Sequence, residues 1–559
     1  MDIRALTAEL SVAPQIQPQD LRDIAAAGFR SVICNRPDGE AGDQPGYAEI
    51  ERAAQDAGLQ ARFLPAESGK VSDEQGLAFG ALMAELPKPV LAYCRTGMRS
   101  TTMWALTQAG KLPLPQIIET SSKAGYDLKG VVRRIVNGGR TPVDTPDASH
   151  DIVIIGGGAA GISVASSLLQ RDPGLDIAII DPADIHYYQP GWTLVGAGVF
   201  KPGFTARTMA SVLPRGVHWI KSAVAAFEPE RDVVILDGCR VVNYQQLVVC
   251  PGLKLDWHGI EGLAESLGRN GVTSNYRYDL APYTWQLVQQ LKRGKAIFSQ
   301  PPMPIKCAGA PQKAMYLSAD HWKRTGVLGA IDIDFCNAGA VLFGVADYVP
   351  ALMEYVKAYG INLNFGQTLV SVDGAAKKAV FSKANADGTK ELITREFDML
   401  HAVPPQKAPD FIRVSPLADA AGWVDIDPGT MRHKTFANVF ALGDVGNTTN
   451  AKTAAAARIQ APVVAHNIVA TRSAPREPGS GLAKYNGYGS CPLTVERGKI
   501  VLAEFTYGGK VAPSFPKWLI DGTKPSALAW YLKERILPPL YWNHMLKGRE
   551  WMAQPEMQG

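Results

Sequence analysis

In the first quarter of the chain the apolar residues gather into runs of four, Ser31-Val32-Ile33-Cys34 and Val90-Leu91-Ala92-Tyr93. Each follows a stretch with helical spacing of apolar positions, Asp20 to Ala27 and Gly76 to Leu86. Short runs without polar alternation predict strands buried on both faces, and their alternation with helices predicts a parallel α/β unit. The pattern breaks at Gly138-Gly139-Arg140-Thr141-Pro142-Val143-Asp144-Thr145-Pro146-Asp147, which reads as a linker. It resumes with a strand at Asp151 to Ile155, a helix at Ile162 to Leu169 and a strand at Ile177 to Ile180. Strands and helices then alternate to about residue 475, and residues 476–559 are rich in Trp, Tyr, Pro and Lys. No internal repeat is present.

At 559 residues the chain is too long for one core, and its length predicts about three or four domains. With 46% apolar and 20% charged residues the composition is that of a folded enzyme. A net charge of +4 gives no reason to expect nucleic acid, although local basic clusters would meet anionic lipid. Met1-Asp2-Ile3-Arg4 opens without an apolar signal core, so a cytoplasmic location is expected, and no uncharged apolar run is long enough to span a bilayer. Seven unevenly spaced cysteines are not a secreted disulfide framework, so each thiol is packing or chemistry. No metal site is expected.

The strand Ile152 to Ile155 runs into Gly156-Gly157-Gly158-Ala159-Ala160-Gly161 and then a helix. In that context Gly156 permits the tight turn, Gly158 lets the backbone approach a pyrophosphate, and Gly161 lets helix pack on strand. The phosphate charge would sit at the helix N-terminus, and Asp181, ending the second strand, is placed for a ribose hydroxyl. Far downstream, Val439-Phe440-Ala441-Leu442 ends in Gly443-Asp444, with a helix expected from Lys452 and Thr453 to Arg458. Flavoproteins use such an Asp on the ribityl chain, so FAD is the expected cofactor.

A flavoenzyme that oxidises NADH would carry a second glycine-rich loop after the strand Ala296 to Ser299. This chain instead has Met303-Pro304-Ile305-Lys306-Cys307-Ala308-Gly309-Ala310-Pro311-Gln312-Lys313. A cysteine among prolines in place of a nicotinamide loop points to a flavin that takes electrons from sulfur.

These residues, with His186 to Gly198, Asp419 to Val424, Lys452 to Ala456, Tyr485 to Leu493 and Leu540 to Asn543, closely resemble sulfide:quinone oxidoreductases of the type shared by mitochondria and many bacteria. The resemblance spans roughly residues 150–552. It implies FAD, held by Gly156, Gly158, Ala160, Gly161, Asp181, Gly252, Gly443, Asp444, Lys452 and Thr453, with sulfide as donor, a quinone as acceptor and attachment to one membrane face. Lys452 and Thr453 would lie near the electron-accepting end of the flavin. The family oxidises sulfide at a cysteine pair holding bridging sulfur. Cys307 fits the first cysteine, but the stretch after Asp444, where the second usually lies, has none. Either Cys336, Cys491 or Cys250 takes that role, or Cys307 works alone. An NADH:quinone dehydrogenase and a phosphatase or sulfur carrier with a non-catalytic flavin domain remain the alternatives, and self-association into a homo-oligomer is left open.

In the N-terminal part, Val90 to Tyr93 leads into Cys94-Arg95-Thr96-Gly97-Met98-Arg99-Ser100-Thr101 and a helix. Backbone N–H groups and the helix dipole favour a thiolate there, and Arg99 adds a cationic fork. The Cys-x4-Arg spacing is one residue shorter than the Cys-x5-Arg of cysteine phosphatases and resembles rhodanese-type sulfurtransferases, which hold a cysteine persulfide. The domain as a whole, including Asn35-Arg36-Pro37-Asp38-Gly39-Glu40, resembles the phosphatase-like domain fused to β-lactamase-like sulfur hydrolases and to flavoproteins of this kind. Sulfur transfer to or from thiol and persulfide molecules is therefore expected. The assignment is α/β throughout: a phosphatase-like domain at 1–137, a linker at 138–149, a Rossmann-type FAD domain in two parts at 150–252 and 406–475, a second Rossmann-like domain at 253–405, and a C-terminal element at 476–559. In that element Leu528 to Leu537 is amphipathic, with a break expected at Pro538-Pro539, and its Trp, Tyr and Leu beside Lys and Arg suit a membrane interface at the cytoplasmic face of the inner membrane.

Overall fold

The computed structural model describes residues 2–42, 44–142, 146–385, 388–473 and 481–557. Val143 to Thr145 of the expected linker, and the expected boundary at 475/476, lie outside the described residues. The chain forms two compact units, one of residues 1–149 with 223–243 and 414–416, the other of the remainder.

In the first unit β1 (Arg4–Ala5), β2 (Leu10–Ala13), α1 (Asp20–Ala26), β3 (Ser31–Cys34), α2 (Tyr47–Asp56), β4 (Gln60–Phe63), α3 (Asp73–Glu85), β5 (Val90–Tyr93) and α4 (Met98–Gln108) follow in order. The sheet order is β1-β2-β5-β3-β4, with β2, β5, β3 and β4 parallel. The two uninterrupted apolar runs are its central strands, and both faces are used. Val90, Ala92 and Ile33 meet Phe79, Met103 and Trp104 on one side, while Leu91, Tyr93, Val32 and Cys34 meet Ile24, Ile50 and Ala54 on the other. A parallel sheet covered twice explains why these strands carry no polar alternation.

Mostly within the second unit, β6 (Ala148–Ile155), β7 (Ile177–Ile180), β8 (Val217–Ile220) and β9 (Val241–Val249) share one sheet, with α5 (Ala159–Arg171) between β6 and β7 in sequence. The second sheet comprises β10 (Val272–Thr273), β11 (Gly294–Gln300), β12 (Ile331–Asn337), β13 (Ile361–Phe365) and β14 (Met399–His401), with α6 (Ala310–Arg324) following β11. The chain then returns to the first sheet with β15 (Val439–Ala441), so that β8, β7, β6, β9 and β15 lie side by side, and α7 (Ala454–Ser473) packs on α5. The second sheet is parallel in the order β10-β14-β11-β12-β13. A hairpin of β16 (Gly489–Glu496) and β17 (Lys499–Phe505) packs against α6. Further on come α8 (Ala527–Tyr531), a π-turn over Leu532–Ile536 and α9 (Leu537–Asn543).

Two expectations are corrected. Pro538-Pro539 do not break the terminal helix. They lie in the first turn of α9, where a missing N–H costs little, and the wide π-turn absorbs the change. Lys452 and Thr453 are not helical: Lys452 pairs in parallel with Lys306, and Thr453 Oγ1 accepts from Ala456 N at 3.2 Å to start α7. No helix among the described residues is long and apolar enough to cross a membrane.

Candidate active site

The second unit holds a cavity of about 550 Å3 lined by the glycine turn, Asp181, Gly252, Asp444, Lys452 and Cys307. Gly156 has φ +107°, and a Cβ there would lie 2.6 Å from Cys250 O. One on Gly161 would lie 1.8 Å from Gly156 O, so only glycine allows α5 to come this close to β6. A Cβ on Gly158 would meet nothing within 4 Å, which leaves open space at the N-terminus of α5 for a pyrophosphate. Asp181 accepts from Gly157 N at 2.6 Å and from Ala183 N at 2.7 Å, which fixes its carboxylate at the cavity wall. Ala160 and Gly252 also line the cavity, and Gly443 (φ +76°) donates its N–H to Gln460 at 2.8 Å, which sets Asp444 at the rim. Burial pushes the Asp444 carboxyl up, with Lys306 and Lys452 opposing. Lys452 donates to Asp444 O at 2.8 Å and Gly446 O at 2.7 Å and lies 4.6 Å from the centre of the Trp423 ring. Burial brings its ammonium down to about 8. Open cradle, acidic ribose partner and buried cation together fit FAD.

Cys307 lines the same cavity next to Lys452. Its N–H donates to Lys452 O at 2.9 Å, its carbonyl accepts from Ala310 N at 2.7 Å, and its φ of +50° is one a side chain adopts at a cost of about 1–3 kcal/mol. Thus the loop is held at both ends with Sγ presented inward. Lys313, in the first turns of α6, donates to that Sγ at 3.2 Å, and Cys491 on β16 brings its own Sγ to 3.6 Å. Gly309 makes this possible, since a Cβ there would lie 2.4 Å from both Cys491 Sγ and Leu493.

The hydrogen bond from Cys491 and the Lys313 ammonium hold the Cys307 thiol well below its usual range, against burial, while the same bond and burial push Cys491 well above it. Burial opposes the charge on Lys313, but the two sulfurs outweigh it and raise the ammonium. Lys533, 4% exposed on the π-turn, is brought down to about 7 by burial and by Lys313. The two thiols are therefore split in acidity, with the Lys313 ammonium on the Cys307 sulfur and the Lys533 charge acting on both.

Cys336 and Cys250 do not come to Cys307. Cys336 lies in the core with Ile297, Phe381 and Leu400, its thiol pushed up to about 12 by burial. Cys250 packs under the glycine turn, 3.7 Å from Gly156 O, its thiol also raised by burial. Sequence reasoning did not single out Lys313, although it stands in the quoted motif, or Lys533, which no pattern separates from its amphipathic helix.

In the first unit, Cys94 is buried and accepts from Gly97 N at 3.1 Å. Gly97 (φ +91°) could carry no side chain, because a Cβ would lie 2.1 Å from the Tyr126 hydroxyl. Arg99 reaches the Cys94 sulfur and is also anchored outside the loop. It forks onto Glu40 at 2.8 and 2.9 Å and onto Ala66 O at 2.7 Å, and Glu40 also accepts from Arg36 at 2.7 Å. Glu40 and the Cys94 sulfur raise the Arg99 guanidinium against burial.

The C-terminal element is less exposed than its composition suggests. Trp530, Tyr541 and Trp542 are buried, and Tyr541 bonds His186 Nε2 at 2.6 Å. Its exposed large apolar residues include Trp518, Leu519, Leu528, Tyr531 and Ile536, with Trp551, Met552 and Met557 further on, and Trp518 is 83% exposed.

Residues 150–288 match the pyridine nucleotide-disulphide oxidoreductase family, and residues 2–111 match the phosphatase-like domain of beta-lactamase hydrolase-like proteins. The mitochondrial sulfide:quinone oxidoreductase of Dictyostelium discoideum is 42% identical over 409 residues, which cover 72% of this chain and 87% of that protein. The chain belongs to the sulfide:quinone oxidoreductase family. It is accordingly an FAD-dependent oxidoreductase. The structure of the sulfide:quinone oxidoreductase from Aquifex aeolicus shares the fold at a TM-score of 0.58 and 19% identity, over 70% of this chain and 92% of that one. At the N-terminus, the beta-lactamase hydrolase-like protein of Agrobacterium fabrum is 34% identical over 126 residues, covering 22% of this chain and 29% of that protein.

Proposed function

We propose that the chain oxidises sulfide to sulfane sulfur at Cys307 and Cys491, passes the electrons through FAD to a membrane quinone, and handles the sulfur in its N-terminal domain. The observation that carries this reading is the sulfur–sulfur distance of 3.6 Å under Lys313. It exceeds a disulfide bond of about 2.05 Å and falls short of two such bonds in line, so a single inserted sulfur atom would bridge it with a bend.

Hydrosulfide attacks the Cys491 sulfur of such a bridge, Cys491 keeps the new sulfur as a persulfide, and the bridging sulfur leaves on Cys307 as a persulfide anion. Lys313 and Lys533 stabilise that leaving charge on the Cys307 side. A thiol acceptor RSH then removes sulfane sulfur, with the balance HS− + RSH → RSS− + 2e− + 2H+. FAD, when bound, would supply the two-electron acceptor. Lys452, aimed from the β15 side, holds positive charge where electrons arrive, and its value near 8 lets it keep a proton at neutral pH. Gly156, Gly158, Ala160, Gly161, Asp181, Gly252, Gly443, Asp444 and Thr453 hold the cofactor.

Residues 1–137, joined through 138–149, act as the sulfurtransferase, with Cys94 carrying persulfide and Arg99 shaping the loop. The surface of Trp518, Leu528, Tyr531 and Ile536 rests on the cytoplasmic face of the inner membrane, where a lipid-soluble quinone is reached. Steady-state turnover of sulfide with a soluble quinone analogue and a thiol acceptor tests the reading. Sulfide-dependent quinone reduction with stoichiometric persulfide supports it, and quinone reduction by NADH alone overturns it.

A further inference from the structure

The β16–β17 hairpin has two faces. Cys491, Leu493 and Ala503 face α6 and the thiol pair, while Ser490, Leu502 and Glu504 point the other way, into the cavity. On that second face Glu504 is 5% exposed among Pro492, Leu502 and Phe515. One carboxylate oxygen accepts from the Tyr488 hydroxyl at 2.5 Å and the Ser514 hydroxyl at 2.6 Å, and the other accepts from Ser514 N at 3.1 Å. Tyr488 and Ser514 are themselves 3.0 Å apart, and both line the cavity. Burial and the Glu504 carboxylate raise the Tyr488 phenol, so it stays a proton donor at neutral pH. The Glu504 charge acts on Arg458, but among the described residues it forms no ion pair, and a buried carboxylate held by neutral donors is costly to keep in an apolar wall. Fixing the Ser514 loop does not require a charge.

We propose that Glu504, with Tyr488 and Ser514, is the proton relay that protonates the quinone as it is reduced. This rests on the quinone reading above. A quinone that gains an electron pair must gain two protons to leave as hydroquinone. One accompanies the electrons as a hydride equivalent, and the other must reach the second oxygen from the protein. Glu504 takes that proton from solvent through the half-exposed Ser514 and gives it through the Tyr488 hydroxyl to the oxygen where charge develops. The carboxylate is restored for the next cycle, and no other oxidant or reductant is needed. The hairpin thereby keeps sulfur chemistry on one face and proton delivery on the other.

The test uses the full-length, FAD-loaded protein, reduced anaerobically with sulfide and mixed with either a short-tailed ubiquinone analogue or ferricyanide, which takes electrons without protons. In Glu504→Gln, reoxidation by the quinone analogue is expected to slow by about 100-fold at pH 7, while reoxidation by ferricyanide stays within about twofold of the wild type. Tyr488→Phe is expected to show the same selective loss, and decides the matter if the Gln variant does not fold. Equal slowing with both acceptors would make Glu504 a structural residue, and no slowing with either would remove it from the path; each outcome overturns the proposal. If the wild type is not reoxidised by the quinone analogue at all, the quinone reading itself fails.

Discussion

A buried thiolate is stable only while a cation stays beside it, and at Cys307 that cation is Lys313 at 3.2 Å. Lys313→Met is therefore expected to move the pH midpoint for alkylation of Cys307 by iodoacetamide upward by about one unit or more, toward the roughly 8.5 of a free cysteine. Since the folded thiol titrates low, the wild type should alkylate at a nearly constant rate through neutral pH and slow only on the acid side. The variant should slow already as pH falls through 8. An unchanged midpoint would leave the Cys491 hydrogen bond as the sole cause. At this scale the sequence was half legible. Cys307 announced itself by standing among prolines where a glycine loop was expected. Cys491 could only be one of three candidates, because β16 reaches Cys307 through tertiary packing that no local pattern encodes. Glu40, which engages Arg99, was quoted in the sequence motif without any signal for that contact.

At the scale of elements, glycines decide how closely the parts approach. Gly309→Ala would place a methyl 2.4 Å from Cys491 Sγ and Leu493, so the hairpin must move away from the loop. Such a protein should bind FAD normally but lose most sulfide-driven flavin reduction; reduction at the wild-type rate would show that the two sulfurs need not be this close. Gly158→Trp fills the open side of the turn and Asp444→Ala removes the polar group at the rim, so both proteins should purify depleted of flavin, as read from the ratio of 450 nm to 280 nm absorbance. Stoichiometric loading of either would mean that the cofactor lies elsewhere. Strands of the parallel sheets were legible because burial on both faces leaves uninterrupted apolar runs. The start of α7 was not, because the pairing of Lys452 with Lys306 holds a helix-favouring stretch extended until Ala454. The prolines of α9 misled for the opposite reason: a π-turn before them makes a first-turn position out of what looks like an interruption.

On the scale of the whole molecule, one chain carries the close thiols of Cys307 and Cys491 and a separate cysteine loop at Cys94. If the two have separate roles, Cys94→Ser in the full-length protein should abolish sulfur transfer from thiosulfate or a thiol persulfide to an acceptor, leave flavin reduction by sulfide within about twofold, and show no loss of p-nitrophenyl phosphate hydrolysis above background. Loss of flavin reduction in this variant would place Cys94 in the redox centre, and robust phosphatase activity lost with Cys94 would replace sulfur transfer as the role of the domain. The two strand-loop-helix motifs were legible in the sequence, but the grouping of residues 223–243 and 414–416 with 1–149 was not, because no local pattern marks it. The burial of Trp530, Tyr541 and Trp542 was not, because an aromatic helix that closes a cavity and one that meets lipid share the same composition.

The central claim is that the flavin is reduced through sulfur bound at Cys307 and Cys491. Anaerobic titration of the purified, FAD-loaded protein with sulfide, followed at the flavin absorbance band, tests it most directly. The wild type should bleach with about one equivalent of sulfide per flavin, Cys307→Ser and Cys491→Ser should keep their FAD yet remain oxidised, and NADH should bleach none of them. Bleaching of the serine variants by sulfide at the wild-type rate, or of the wild type by NADH alone, would contradict the account.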